Sequence, residues 1–160
     1  MAAPTTPEET RESARRLLVL AEFLEKLPPE RFNFSTWVGD DWKGAADLSC
    51  GTVACALGWA TAIPEFAAAG LHLETVILDK GTEDETRETW PVCGEEESET
   101  AACAPFLLTW EEADFLFHSH VRDPHDESGE VEHSPAYDAS AAVVAAHIRR
   151  FVAKHRAVRS

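Results

Sequence analysis

The hydrophobic and polar positions of this chain follow a helical period at both ends and a shorter one in the middle. From Pro7 to Leu27, Ala14, Leu17, Leu18, Ala21, Leu24 and Leu27 recur at helical spacing, with Arg and Glu on the opposite face. Thr6 predicts the N-cap, Glu9 completes a capping box, and Pro7 occupies the first turn. Pro28-Pro29 ends this helix. Residues 30–49 carry Phe32, Phe34, Trp37 and Trp42 at irregular spacing and read as a loop with aromatic anchors. A second helix is expected from Ser49 or Cys50 to about Ala62, and a short turn, PEFAAAG, closes at Gly70 as a C-cap.

The period then shortens. LHLETVIL leans towards strand, and TRETWPV can pair with it as a hairpin across DKGTEDE. Residues 94–102 read as an acidic surface loop. LTWEEADFLF is a helix capped by Thr109, with Glu112 completing a capping box and Trp110, Ala113, Leu116 and Phe117 as its apolar face. Residues 118–135 form a long polar loop. Tyr137 to Val158 makes the last helix, with Val144, Ile148 and Val152 in line and a basic end that suits the helix dipole. The expected fold is therefore mainly α: one domain over 1–160, a helical bundle of about four main helices, with a small β-hairpin near 71–92. Residues 1–6 and 157–160 are expected to be disordered ends.

An apolar fraction of 44% in 160 residues is that of an ordinary folded chain. The longest apolar run, Val53 to Ile63, falls short of the roughly 20 residues a bilayer span needs. The opening MAAPTTPEET lacks the basic and then apolar segments of a secretion signal, so a cytoplasmic location is expected. In a reducing compartment, four cysteines are expected as free thiols or ligands rather than disulfides.

Charge changes the picture more. The net charge is -15, and residues 79–132 hold 17 Asp/Glu against Lys80, Arg87 and Arg122, a balance of -14. The remainder has 12 acids and 11 bases. Such a surface argues against direct nucleic-acid binding, which needs basic patches. A protein partner with a basic surface fits it, and so does simple solubilisation.

The stretch CGTVACALGW, Cys50 to Trp59, is the first candidate for chemistry. Within one helix, Cys50 and Cys55 would lie about 140° apart and could not grip one metal ion. If the chain bends before Gly51, Cys50, Cys55, Cys93 and Cys103 could supply four thiolates for zinc or an iron–sulfur cluster. Alternatively, Cys50 alone at a helix start would feel the positive end of the dipole, with the N–H groups of Gly51 and Thr52 nearby as oxyanion donors. Papain-like peptidases place a catalytic cysteine in that way, and need a histidine; His72 is the one on an expected strand. The plain reading is packing, with Cys55 a small hydrophobe beside Trp59 in an interior helix.

The histidines His118, His120, His125 and His133 lie among Asp123, Asp126 and Glu127. Their intervals match no zinc signature, and DPHDESGE lacks the ligand order of a calcium loop. A solvated loop is expected there. No P-loop, GxGxxG or GxSxG is present.

RFNFSTWVG, CGTVACALGWATAIPEFAAAGL and FLLTWEEADFLF together resemble a set of small bacteriophage and bacterial proteins for which no activity is established. Those share F-x-M/F-x-x-W, then C-G-T-x-x-C-x-x-G-W/H, then a GLT-x-EEA-x-x-LF helix. The resemblance covers about 120 of the 160 residues. It makes Phe32, Phe34, Trp37, Cys50, Gly51, Thr52, Cys55, Gly58 and Trp59 motif positions. Cys93 and Cys103 fall in an insert outside the pattern. What the resemblance implies is a fold outline and a phage or bacterial setting. The functional expectation is a non-enzymatic accessory protein that binds a macromolecule through its acidic 79–132 region; the alternative is a cysteine-dependent enzyme or metal site centred on Cys50.

Overall fold

The computed structural model describes residues 4–34, 53–119, 121–126 and 133–157. The first helix, α1 (Pro7–Lys26), begins as its sequence requires. The Thr6 hydroxyl accepts from the Glu9 N–H at 3.1 Å, and the Glu9 carboxylate accepts from the Thr6 N–H at 3.1 Å. Ser13, Leu17, Leu20, Ala21 and Leu24 form its buried stripe. That stripe packs against the last helix, α6 (Ala141–His155), which buries Ala141, Val144, Ala145, His147, Ile148 and Phe151 and is capped by Ser140.

Between them the chain lays down short pieces. Helix α2 spans only Ala56–Ala60 and α3 spans Pro64–Ala68. Of the long helix expected from residue 49 or 50 to about 62, the described part, from Val53, keeps only Ala56–Ala60. Ala54 forms a bridge with Phe32, donating to the Arg31 carbonyl and accepting from the Asn33 N–H. Backbone groups committed to that ladder cannot enter a helix. Cys55, extended at φ -78° and ψ 179°, becomes the N-cap of α2, its sulfur accepting from the Gly58 N–H at 3.4 Å. Trp59 packs with Ala54 against Phe23, Leu27, Phe32 and Leu73, and donates its indole N–H to the Arg31 carbonyl at 2.8 Å.

The largest correction concerns fold class. The chain is mixed α/β rather than a mainly α bundle, because strands β1 (His72–Leu78), β2 (Thr86–Cys93) and β3 (Glu96–Glu97) form a three-stranded antiparallel sheet in the order β1-β2-β3. Alternating Thr, Val and Ile in β1 and β2 favour pleated backbone. Their register pairs Leu73 with Pro91, Thr75 with Thr89 and Ile77 with Arg87. The two threonine hydroxyls hydrogen-bond across the strands at 2.8 Å. Gly70, at φ +104°, turns the chain from α3 into this sheet.

Residues 94–102 are likewise not a surface loop. Gly94 turns at φ +64°, Glu96–Glu97 pairs back on β2, and a 3-10 helix at Ser98–Ala102 buries Ala101 and Ala102 completely. The alternation of Glu with small residues hides this from a reading based on charge.

Helix α4 (Cys103–Phe106) then leads through Leu107, at φ +54°, into α5 (Trp110–Phe117). The Thr109–Glu112 capping box forms as expected, but Trp110 is 57% exposed. Glu112, Ala113, Phe115, Leu116 and Phe117 are the buried residues of α5. The final helix starts at Ala141 rather than Tyr137, which is exposed. Among the described residues no helix is long and apolar enough to cross a membrane.

One hydrophobic cluster joins α1, α3, α4, α5 and α6. Phe106 sits at its middle, fully buried, with ring centroids 4.6 Å from Phe66 and 5.9 Å from Phe117. Truncation of Phe106 to alanine is expected to cost about 3–5 kcal/mol in urea unfolding. Trp110→Ala should stay within about 0.5 kcal/mol. A large loss at Trp110 would contradict its exposed placement.

Candidate functional site

Two sets of polar residues stand out, one buried where the helices meet and one exposed on the sheet. The buried set is built from the ends of elements. Ser13 lies on the apolar stripe of α1, Glu112 on the first turn of α5, and Arg156 is the C-cap residue of α6. The Arg156 guanidinium donates through Nη2 to Glu112 Oε2 at 2.7 Å, through Nε to Ser13 Oγ at 3.0 Å, and through Nη1 to the His155 carbonyl at 3.0 Å. It also lies 4.9 Å from the centre of the Phe151 ring. Ser13 passes its own proton to the Phe106 carbonyl at 2.7 Å. Glu112 additionally accepts from the Thr109 N–H at 3.0 Å and meets His125 Nε2 at 3.1 Å.

Beside it, Asp123 is 3% exposed, 3.0 Å from His155 Nε2 and 2.8 Å from the His125 N–H. The His125 and His155 rings lie 4.8 Å apart. Loop residues therefore enter the core. The expected solvated loop is tied inwards at Asp123 and closed at its base, where Val121 and Ser134 exchange two 2.7 Å hydrogen bonds.

This arrangement ties together α1, α4, α5 and α6. The serine proton is committed to a carbonyl, so Ser13 is no nucleophile poised beside a base. Burial pushes the Glu112 carboxyl upward, but the Thr109 N–H and the Arg156 guanidinium outweigh it and hold the group below its ordinary range. Asp123 behaves alike, burial opposed by the His125 N–H and His155, with a net lowering.

The cysteines separate. Cys55 caps α2, Cys103 opens α4 and Cys93 ends β2; all three are free and buried. Burial pushes the Cys55 and Cys103 thiols up to about 11 and raises Cys93 too. Cys50, with Gly51 and Thr52, lies outside the described residues, as do Trp37, Trp42, His120 and Glu127. His72, the histidine considered for Cys50, is exposed, with Nδ1 2.8 Å from the Gly70 carbonyl and Nε2 3.0 Å from Glu74. His118 is exposed 3.5 Å from Asp114, and His133 is exposed. Among the described residues no group of three His, Cys, Asp or Glu side chains is arranged to hold a metal ion.

The exposed set is the hairpin. Glu74, Asp79, Glu83, Asp84, Glu85 and Glu88 are exposed along it, against Lys80 and Arg87. Among the described residues no ion pair neutralises Glu83, Asp84 or Glu88. Glu85 is partly used, accepting from the Gly81 N–H at 2.8 Å. Val76 and Leu78 add exposed apolar surface, 37% and 39% accessible. Glu112 and Asp123, counted in the acidic middle of the sequence, are withdrawn from that surface by burial.

Sequence reasoning missed Ser13, His155 and Arg156. Their signal was present: Ser13 continues the spacing of Leu17, Leu20 and Leu24, and Arg156 continues that of Ile148 and Val152. A charged residue in an apolar register asks for a partner. Comparison with protein-family models, curated proteins and solved structures finds no match.

Two outcomes follow. Glu112 and Asp123 have lower pKa values folded than unfolded, so their stabilisation is complete above the ordinary carboxylate range and is lost as pH falls through the lowered values. Glu112→Gln should therefore cost about 3 kcal/mol at neutral pH. It should also flatten the loss of stability below pH 4.5, the ordinary value of the group. Equal slopes in acid unfolding of the two proteins would refute this. Separately, iodoacetamide at pH 7.5 should leave Cys55, Cys93 and Cys103 unmodified in the folded chain and label all three in denaturant, as read by peptide mass spectrometry.

Proposed function

We propose that this chain is a non-enzymatic accessory protein that binds a macromolecule with a basic surface, in a phage or bacterial setting, through its acidic middle third. The observation that carries the reading is the charge on the hairpin. Six exposed carboxylates against two bases stand on one two-stranded element, and all but Glu74, which meets His72, have no ion-pair partner among the described residues. Where the helices needed charges for their own architecture, those charges are internally matched: Glu12 with Arg15 and Arg16, Glu25 with Arg149, Glu112 with Arg156. Of the hairpin carboxylates, only Glu74 and Glu85 are used locally, against His72 and the Gly81 N–H. An unneutralised array of one sign raises the encounter rate with an oppositely charged partner and disfavours phosphate backbones. Regularly spaced carboxylates can also occupy a nucleic-acid-binding protein in place of its ligand, and double-stranded DNA would then compete.

The immobilised chain in a bacterial extract should retain a basic protein at about 50 mM salt and release it by about 500 mM, where the screening length falls to a few ångströms. The combined variant Glu83→Gln, Asp84→Asn, Glu85→Gln and Glu88→Gln should bind that protein at least about tenfold more weakly. An affinity unchanged across the salt range, or unchanged in the variant, would overturn the reading.

A further inference from the structure

Strand β1 is an edge. The sheet order is β1-β2-β3, so β1 pairs with β2 on one side and, among the described residues, with nothing on the other. In an antiparallel ladder alternate residues direct their N–H and C=O groups to opposite sides. About half of the seven residues of β1 therefore present unpaired backbone groups outward. Edge strands that must stay single are usually blunted by lysine, proline, a bulge or shortness. His72–Leu78 has one charged residue, Glu74, and no lysine, proline or bulge: it runs seven residues in continuous register, with Val76 and Leu78 exposed. The opposite edge differs in two ways: β3 covers β2 at Val92 and Cys93, and the stretch it leaves open, Thr86–Pro91, carries Arg87 and ends in a proline.

The two faces of β1 specify what would lie beside it. Leu73, Thr75 and Ile77 share one face, and His72, Glu74, Val76 and Leu78 the other. An added strand would set side chains beside Leu73 and Ile77 on the first face, where apolar residues fit. On the second face it would meet Glu74, and at its end the carboxylates of Asp79, Glu83 and Asp84, where lysine or arginine fits. A second copy of this chain would bring the same acidic tip and a charge of -15 against its own, which self-repulsion opposes.

We propose that β1 captures an extended, basic segment of its partner by strand addition, the added strand pairing along His72–Leu78 and alternating apolar with lysine or arginine side chains. This rests on the reading of an acidic surface that binds a basic partner, and adds that backbone hydrogen bonds, not charge alone, hold it.

The probe is a capped seven-residue peptide of alternating valine and lysine, compared with the same peptide N-methylated at every residue. The second keeps charge and side chains but has no backbone donors. Amide hydrogen exchange of the full chain is followed by NMR at low salt. The expected result is that the unmodified peptide slows exchange of the outward amides of β1 by at least about tenfold and binds at least about tenfold more tightly than the methylated one. Equal binding of the two peptides without protection of β1 would overturn strand addition while leaving charge-driven binding standing. Protection of β1 that grows with protein concentration in the absence of peptide would assign the edge to a second copy, and overturn it as well. No binding of either peptide, with the basic protein still retained from the extract, would overturn it and spare the broader reading.

Discussion

The pair between Arg156 and Glu112 is the constraint on which the rest of the helical body depends. Neither side chain has more than a few per cent of its surface in water, so each needs the other to be tolerated at all. Through Ser13 and the Phe106 carbonyl the pair reaches α1 and α4; through Thr109 and His125 it reaches α5 and the loop that follows. A hydrophobic trio of similar volume could stabilise this junction as well or better, since desolvating two ions consumes much of their attraction. What greasy side chains could not do is dictate which ends meet. The guanidinium fork accepts only one arrangement of a carboxylate, a hydroxyl and a carbonyl, and so selects one packing of four elements.

Local chemistry was legible in the sequence wherever one residue type answers one backbone demand. Thr6 with Glu9 and Thr109 with Glu112 cap helices because unpaired N–H groups need an acceptor three residues away, and Pro28 stops α1 because its ring forbids continuation. The hairpin strands were visible in their β-branched residues. The failures share a physical cause, which is that tertiary pairing overrode a local preference. Small apolar residues from Val53 to Ala62 suit a helix, yet the bridge between Ala54 and Phe32 claims the backbone first. Glu95 to Glu99 looks like a solvated run, yet two of its residues add a strand to β2. Lys154, His155 and Arg156 suit a helix C-terminus, and only the contacts of His155 with Asp123, 32 positions away, and of Arg156 with Glu112, 44 away, show that two of them are structural.

The same distinction sorts the acidic residues. Glu25 and Glu112, which join separate helices, are placed against arginines, and their charge is spent inside the molecule. Those on the hairpin are not, and most of the hairpin from Glu74 to Glu88 is exposed, outside the hydrophobic cluster. Two-stranded ribbons are marginal on their own, so the distal part of β1 and β2 depends on its cross-strand threonine pair and on the anchorage of Leu73 beside Trp59. A segment so placed opens at lower free energy than the helices. The stable body and the charged arm are different kinds of material, and the chain passes from the first into the second at one turn.

That turn is Gly70. Its φ of +104° is one that side chains strain to adopt, while the space itself is open: a Cβ there would make ordinary contact, 3.7 Å, with the sulfur of Cys93, which ends β2 beside the start of β1. The direction in which the arm leaves the body thus depends on a backbone conformation, not on room for a side chain: glycine adopts it freely and other residues do not. Any lineage that replaces this glycine must re-aim the arm, and whatever it meets, together with it.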